Sequence, residues 1–301
     1  MFEFKKIELK DKDRINDRLR VSNFMGCEYS FANNMAWQRL NDTLICLYDD
    51  FYISCSFDIG QPYIAFPAGM KTDDNAGKEK YVKLFNELKN YFEKQGKRLV
   101  ISSVTDDNLQ WLKEYYGDKI ICEYNRDGSD YIYNSSDLIN FAGKKYHSKR
   151  NHLKHFYEND WSFEPITNDN LDECISFSAT FYNNAGEADF SSMVEQYAIN
   201  LFFMNMDLLG LKGGALRVDG KLVGFTIGEQ LNSNTFVVHI EKACSDIQGS
   251  YPAICNQFVK ANAYDLKYVN REEDLGLEGL RKSKLSYRPA FLLDKYNIYF
   301  K

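Results

Sequence analysis

Residues 211–243, LKGGALRVDGKLVGFTIGEQLNSNTFVVHIEKA, decide the fold class of this chain. The stretch contains three apolar runs that are typical of strands, and Asp219-Gly220 between the first two favours a tight hairpin turn. A helix that begins near Ser250 and a strand over residues 266–269 follow. Antiparallel strands followed by alternating helices and strands predict a mixed α/β sheet.

The first half of the chain shows the same order of elements. Strands are predicted over residues 43–48 and 51–59, around a turn at Asp49-Asp50. They are followed by a helix whose apolar residues fall on one face, namely Tyr81, Phe85, Leu88 and Phe92. We infer an internal duplication of a β-β-β-α-β-α-β-β unit, with domains at residues 1–143 and 144–301.

Composition excludes several classes of protein. A chain of 301 residues with 44% hydrophobic and 27% charged residues is long enough for two hydrophobic cores, which excludes a disordered tail or a disulfide-stapled mini-domain. No apolar run approaches the roughly 18 residues that a transmembrane helix needs. Because residues 1–6 are also too charged for a signal sequence, a soluble cytoplasmic protein is expected.

Cysteine and histidine spacing disfavours metal and disulfide chemistry. The seven cysteines contain no C-x-x-C pair, and several lie among strand-like apolar residues, so reduced core cysteines are predicted. His147, His152 and His155 lack the i, i+4 spacing of a helical metal site, and no metal is expected. His239, inside an apolar run, is interpreted as a core residue with satisfied hydrogen bonds.

The net charge of −6 argues against a protein that coats nucleic acid without sequence preference. One segment of the chain is nevertheless strongly basic. Residues 144–155 contain five Lys or Arg, three His and no acidic residue. Such a segment can bind a phosphate-rich ligand, such as a nucleotide, a tRNA end or a lipid headgroup. The alternative is a solvated helix between domains. The cations proposed to bind the ligand are Lys144, Lys145, Lys149 and Arg150.

Three motifs carry a family resemblance. Residues 143–151 read GKKYHSKRN, residues 270–289 contain NREEDLG followed by LRKSKLSYRP, and Glu241-Lys242-Ala243 precedes Gly249-Ser250-Tyr251. Together they resemble a family of uncharacterised bacterial proteins related to the C-terminal domain of phosphatidylglycerol lysyltransferase, over essentially the whole chain. The resemblance implies two tandem domains of the acyl-CoA N-acyltransferase (GNAT) fold, as in the Fem-type aminoacyltransferases that use aminoacyl-tRNA.

That fold implies a donor site where two central strands part, near residues 243–251. Gly249 and Ser250 are the candidate phosphate-binding residues there, and a loop and helix cap without a ligand is the alternative. An acetyl-CoA enzyme would have an R/Q-x-x-G-x-G/A pattern, but this chain has Asp246 at its first position and Tyr251 at its last. No comparable glycine-rich turn occurs in the first half, which is interpreted as degenerate.

The resemblance also implies catalytic residues around this crevice. Glu241 is the candidate base, Glu272 and Asp274 are further candidate carboxylates, and Tyr251 is a candidate acid for the leaving group. The acidic residues could instead form an ion-pair network with neighbouring arginines. Additional candidates for binding the donor are Asn270, Arg281 and Lys284, although Lys284 could simply end its helix.

The sequence therefore predicts an acyltransferase of tandem GNAT type that moves an aminoacyl group from aminoacyl-tRNA to an amine or hydroxyl. An acyl-CoA-dependent N-acyltransferase and a non-catalytic ligand-binding module are the alternatives. The expected acceptor is a small molecule, a lipid or a peptide. No resident cofactor is expected, and aminoacyl-tRNA or acyl-CoA serves as the donor co-substrate.

Overall fold

The computed structural model describes residues 2–40, 42–183 and 190–301. They form two compact units, Met1–Ser129 with Leu293–Lys301, and Asp130–Leu292. The first unit therefore ends at Ser129 rather than at Gly143, and the end of the second predicted domain belongs to it. The division follows the sheets, because a strand is held by the neighbours with which it forms hydrogen bonds.

The helices and strands follow in chain order. The helices are α1 (Lys12–Ser22), α2 (Phe31–Trp37), α3 (Asn75–Glu93), α4 (Asp106–Tyr116), α5 (Ser135–Asn140), α6 (His147–Phe156), α7 (Leu171–Asn183), α8 (Phe190–Met204), α9 (Met206–Leu209), α10 (Ser250–Asn262) and α11 (Glu278–Ser286). The strands are β1 (Leu44–Tyr48), β2 (Phe51–Asp58), β3 (Gln61–Ala65), β4 (Val100–Val104), β5 (Ile120–Tyr124), β6 (Asp130–Asn134), β7 (Trp161–Pro165), β8 (Lys212–Val218), β9 (Lys221–Gln230), β10 (Thr235–Ala243), β11 (Tyr268–Asn270), β12 (Phe291–Leu293) and β13 (Tyr296–Phe300).

Each unit contains one mixed sheet, which confirms the predicted α/β class. The first sheet has the order β1-β2-β3-β4-β13-β5, and the second has the order β12-β6-β11-β10-β9-β8-β7. In each sheet, three antiparallel strands lead to a parallel pair, β3 with β4 and β10 with β11. The strand pairing therefore shows the predicted repeat. One strand of each predicted domain, however, pairs in the sheet of the other: β6 belongs to the second sheet and β13 to the first.

Local sequence explains the strands that decide the fold. Asp219 and Gly220 both have positive φ, 50° and 75°, as the tight turn between β8 and β9 requires. In β9 residues 222–228 are buried, because α7 and α10 both contact this strand.

Each unit has its own core. In the first, the predicted face of α3 is fully buried against the sheet, and Phe66 contacts the rings of Tyr81 and Phe85. In the second, Phe258 and Val259 of α10 pack against β10. None of the helices in the described ranges is both long enough and apolar enough to cross a membrane.

Candidate active site

The candidate site begins where β10 and β11 part. The two strands pair in parallel from Thr235 with Tyr268 to Val237 with Asn270. Beyond that point β10 continues to Ala243, whereas β11 has ended. The two strands are therefore no longer paired past the carboxyl end of β11, and this is the place where the predicted fold would have its crevice.

A bulge in β10 controls which side chains face this crevice. The register shifts between Val238 and Ile240, which makes His239 the extra residue. Val238 and Ala243 both pack against α10, although simple alternation would place them on opposite faces. His239 instead contacts α8, through the ring of Phe202. Alternation from Ala243 then places Glu241 on the α10 face.

Glu241 forms a buried ion pair across the crevice. Nη2 of Arg271 donates to Oε1 of Glu241 at 2.6 Å, and the two side chains are only 12% and 8% exposed, respectively. Burial raises the pKa of the Glu241 carboxyl, and the charge of Arg271 opposes this effect. Oε2 of Glu241 and Nη1 of Arg271 are buried and have no hydrogen-bond partner among the described residues. Buried polar atoms without a hydrogen-bond partner favour the binding of a ligand or a water molecule that forms hydrogen bonds with them.

Tyr287 forms a platform for two cations beside this ion pair. The Arg271 guanidinium carbon lies 4.5 Å from the centre of the Tyr287 ring, and Nζ of Lys149 lies 3.5 Å from it. Nζ of Lys149 also donates to Oγ of Ser286 at 2.8 Å. Burial and the charge of Arg271 lower the pKa of Lys149 to about 8. Separate motifs of the sequence thus meet at one aromatic ring.

The loop after β11, residues 270–276, has a strained backbone. Glu272 and Leu275 have left-handed φ angles of 57° and 51°, which side chains other than glycine rarely adopt. The Asn270 side chain supports the loop by accepting from the Glu272 N–H at 2.7 Å and donating to Asp130 at 2.8 Å.

Further groups predicted to act on the substrate support the same loop. Asp274 is fully buried and accepts hydrogen bonds from Tyr131 at 2.5 Å and from two nitrogens of Arg281 at 2.9 Å. Nζ of Lys284 is buried and donates to the carbonyls of Arg271 and Glu273. Asp274 and Arg281 therefore form an ion pair of the kind that was the alternative interpretation, while Asn270 and Lys284 add hydrogen bonds to the same loop.

On the other face of the sheet, His239 lies between two carboxylates. Its Nδ1 is 2.8 Å from Glu272 and its Nε2 is 3.1 Å from Glu229. Burial alone would lower the pKa of His239, but these hydrogen bonds and the two negative charges raise it to about 9. The prediction of a satisfied core histidine is confirmed, and the imidazole is protonated at neutral pH.

The predicted donor loop packs closely against α6. Gly249 has a φ of 86°, and a Cβ atom there would lie 2.2 Å from the backbone oxygen of His152, so glycine allows the start of α10 to contact α6. Ser250 is the first residue of α10 rather than its cap, and its hydroxyl donates to the Cys244 carbonyl at 2.7 Å. Tyr251 is half-buried, and burial raises its pKa.

The basic segment divides into surface and structural residues. Lys144 is exposed, and Lys145 forms an ion pair of 3.0 Å with Asp137. One nitrogen of Arg150 donates to the carbonyls of Phe141 at 2.5 Å and Gly143 at 2.6 Å, which stabilises the turn before α6. Of the predicted cations in this segment, Lys149 is the one whose contacts with Tyr287 and Ser286 place it at the crevice.

Sequence reasoning missed several contributors to the crevice. Tyr133, whose ring centre lies 5.9 Å from the Arg271 guanidinium carbon, was not among the predicted site residues, and neither were Cys255 and Arg271, although Arg271 lies within a recognised motif. Cys255 interacts electrostatically with Arg271, and burial raises the pKa of its thiol to about 12. The predicted core position of the cysteines is confirmed for those that are buried, namely Cys27, Cys46, Cys55, Cys174 and Cys255.

Comparison with known proteins supports the family resemblance. A family model described as phosphatidylglycerol lysyltransferase, C-terminal, matches residues 19–299. A conserved protein of unknown function from Bacteroides thetaiotaomicron VPI-5482 has a crystal structure that matches with a TM-score of 0.90, 35% identity and complete coverage of both chains. An uncharacterised protein of Mycoplasmoides gallisepticum is 26% identical over 204 residues, which are 66% of this chain and 64% of that protein.

A more distant structure supports the fold. FemX matches with a TM-score of 0.64 at 9% identity, covering 98% of this chain and 96% of its own. This likeness confirms the prediction of two GNAT-like units of the Fem type. Since the family model spans most of the sequence, the chain belongs to the family of the phosphatidylglycerol lysyltransferase C-terminal domain.

Proposed function

We propose that this protein transfers an aminoacyl group from aminoacyl-tRNA to an amine or hydroxyl acceptor in the crevice between β10 and β11. The observation that carries the proposal is the pair of unsatisfied atoms, Oε2 of Glu241 and Nη1 of Arg271. An α-aminoacyl ester offers a carbonyl oxygen to the guanidinium and an α-amino N–H to the carboxylate. A simple acyl thioester offers only the carbonyl.

The guanidinium suits the chemistry of ester aminolysis or transesterification. When the acceptor attacks the carbonyl carbon, negative charge develops on the carbonyl oxygen, and an N–H of Arg271 would stabilise it. The ester C–O bond then breaks, and the ribose oxygen leaves with a proton. Glu241 orients Arg271 through their 2.6 Å hydrogen bond. In this proposal Glu241 binds and orients, instead of acting as the base.

Access to the ion pair depends on a side chain that can move. Two lysines, Lys149 and Lys284, act electrostatically on Glu241. Lys284 is buried and bound to backbone carbonyls, whereas Lys149 is partly exposed. Displacement of Lys149 from Tyr287 would open the pair to the aminoacyl end of the donor. Lys144 and Lys145, at the start of the basic segment, would then contact donor phosphates.

Of the other predicted catalytic roles, the proposal keeps one and drops another. Tyr251 stays a candidate proton donor to the leaving group, whereas Glu272 holds His239. The acceptor is proposed to be a small molecule, a lipid or a peptide, and the reaction is placed in the cytoplasm. An acyl-CoA donor has less support, because one side of Gly249 packs against the His152 carbonyl and Asp246 would repel a pyrophosphate.

The proposal is tested by comparing donors. We expect aminoacyl-tRNA, but neither uncharged tRNA nor acetyl-CoA, to raise the melting temperature and to support transfer to added amines. Arg271→Lys keeps the charge but loses the second N–H group, and it should slow transfer by about 10²-fold or more. The control Lys260→Arg, at an exposed position of α10, should have no effect. Acetyl transfer from acetyl-CoA would contradict an aminoacyl donor, and inactivity with both donors would contradict the transferase.

A further inference from the structure

Lys149 occupies a distinct place at the crevice. It projects from α6, its Nζ lies 3.5 Å from the centre of the Tyr287 ring, and it donates to Ser286 at 2.8 Å. Both of these direct partners are uncharged, one an aromatic ring and the other a hydroxyl. The ammonium of Lys149 is thus held in the site by groups that carry no negative charge.

Each element around Lys149 contributes to its protonation. Arg271, in the loop after β11, disfavours the ammonium, and so does burial. Glu241 of β10 and the Cys255 thiol of α10 act in the opposite direction, while Tyr287 and Ser286 after α11 contact the amine directly. Burial and Arg271 dominate and lower the pKa of Lys149 to about 8, so the neutral amine is accessible near physiological pH.

The carboxylates predicted to act as bases are engaged elsewhere. Glu241 is shielded from solvent and bound to Arg271, Glu272 is bound to His239, and Asp274 is bound to Tyr131 and Arg281. An incoming acceptor would meet Lys149 first, since it is the partly exposed neighbour of the ion pair.

We propose that Lys149 carries the proton during the transfer reaction, a role that rests on the proposed function. The neutral amine takes the proton from the N–H or O–H of the acceptor while the new bond to the carbonyl carbon forms. The resulting ammonium, in place of Tyr251, gives that proton to the ribose oxygen as the ester C–O bond breaks. The amine is thereby regenerated, and no further reactant is required.

The first test is the pH dependence of single-turnover transfer from aminoacyl-tRNA. In the wild type the rate should rise with pH, reach half of its maximum near pH 8 and level off above that value. Lys149→Arg keeps a cation but removes the titrating amine, and it should lower the rate by about 10²-fold or more and abolish this rise. The donor dissociation constant should change by less than about threefold. Lys260→Arg is the matched control.

The second test measures the amine itself. Acetylation of the full-length protein by acetic anhydride, followed residue by residue with mass spectrometry, should show half-maximal reactivity of Lys149 near pH 8. Reactivity that appears only above about pH 10 would overturn the proposal.

The outcomes separate the two proposals. Transfer by Lys149→Arg at the wild-type rate and with the wild-type pH profile would overturn the role of Lys149 and leave the transferase intact. Weakened donor binding by Lys149→Met, with an unchanged maximal rate in Lys149→Arg, would show an anion anchor and also overturn it. Absence of transfer by the wild type with every donor would overturn the proposed function and this step with it.

Discussion

At the scale of single residues, the buried imidazolium of His239 ties stability to pH. Its pKa in the folded protein is about 9, above the ordinary value of 6.5. Between these values the folded protein holds a proton that the unfolded chain has released, so the free energy of unfolding falls as the pH rises. The contribution is fully present below about pH 6.5 and is lost through about pH 9, with a total of about 3 kcal/mol.

Substitution of His239 by glutamine should remove this pH dependence. It leaves Glu229 and Glu272 close together without the cation between them, so the variant should be least stable relative to the wild type at about pH 6.5 and just below, where the contribution of His239 is fully present. Urea unfolding at several pH values measures both effects. His155→Gln, at an exposed histidine, is the control. Equal pH slopes for the wild type and His239→Gln would contradict the assignment.

Residue types in the sequence indicated part of this site. Glu241 and the basic residue Lys149 could be selected because charged side chains within motifs are typical of binding sites. The charge on His239 could not be predicted, since a bulge in β10 turns it toward α8 and a strained backbone brings Glu272 to it. Neither the bulge nor the left-handed angle has a local sequence signal such as glycine.

At the scale of elements, the conformation of the loop over residues 270–276 is stabilised by contacts with neighbouring side chains and not by the backbone preferences of its own residues. Asp274→Asn keeps the shape of the side chain but removes the charge that Arg281 and the Tyr131 hydroxyl stabilise. We expect a loss of about 2 kcal/mol in the free energy of unfolding, because Asp274 is fully buried and accepts charge-assisted hydrogen bonds, whereas Arg281 is partly exposed. Transfer activity should also fall, because Arg271 belongs to this loop.

Denaturant titration and single-turnover transfer check this prediction. Asp265→Asn, in an exposed turn after α10, is the control. If the loop is one hydrogen-bonded network, the double variant Asp274→Asn with Arg281→Gln should lose less stability than the sum of the two single changes. Additive losses would show that the two side chains act independently.

Most elements could be predicted, but their partners could not. The Asp-Gly hairpin and the apolar face of α3 have direct signals in turn chemistry and periodicity. β6 and β13 are short apolar runs of the same type as their neighbours, so pattern alone assigned them to the nearest unit in sequence. Which strands pair when they are far apart in the sequence depends on how the whole sheets assemble, and local sequence patterns do not carry that information.

At the scale of the whole molecule, β13 lies between β4 and β5 and pairs antiparallel with both. Removal of residues 294–301 from the full chain would leave β4 with an unpaired edge and β5 without its partner in the sheet. Hydrogen exchange should then lose protection first in β4 and β5, whereas β9 and β10 share no ladder with the removed residues. Removal of Lys301 alone is the control, because β13 ends at Phe300. Unchanged protection in β4 and β5 would contradict the prediction.

The position of β13 reverses the order in which the two units can be completed on the ribosome. The second unit needs no residue beyond Leu292, whereas the first sheet has a gap between β4 and β5 until residues 296–300 emerge from the exit tunnel. Domains usually fold in the order in which they are translated. Here the half that is translated first is finished last, and its open strands must be kept from pairing with other nascent chains in the meantime.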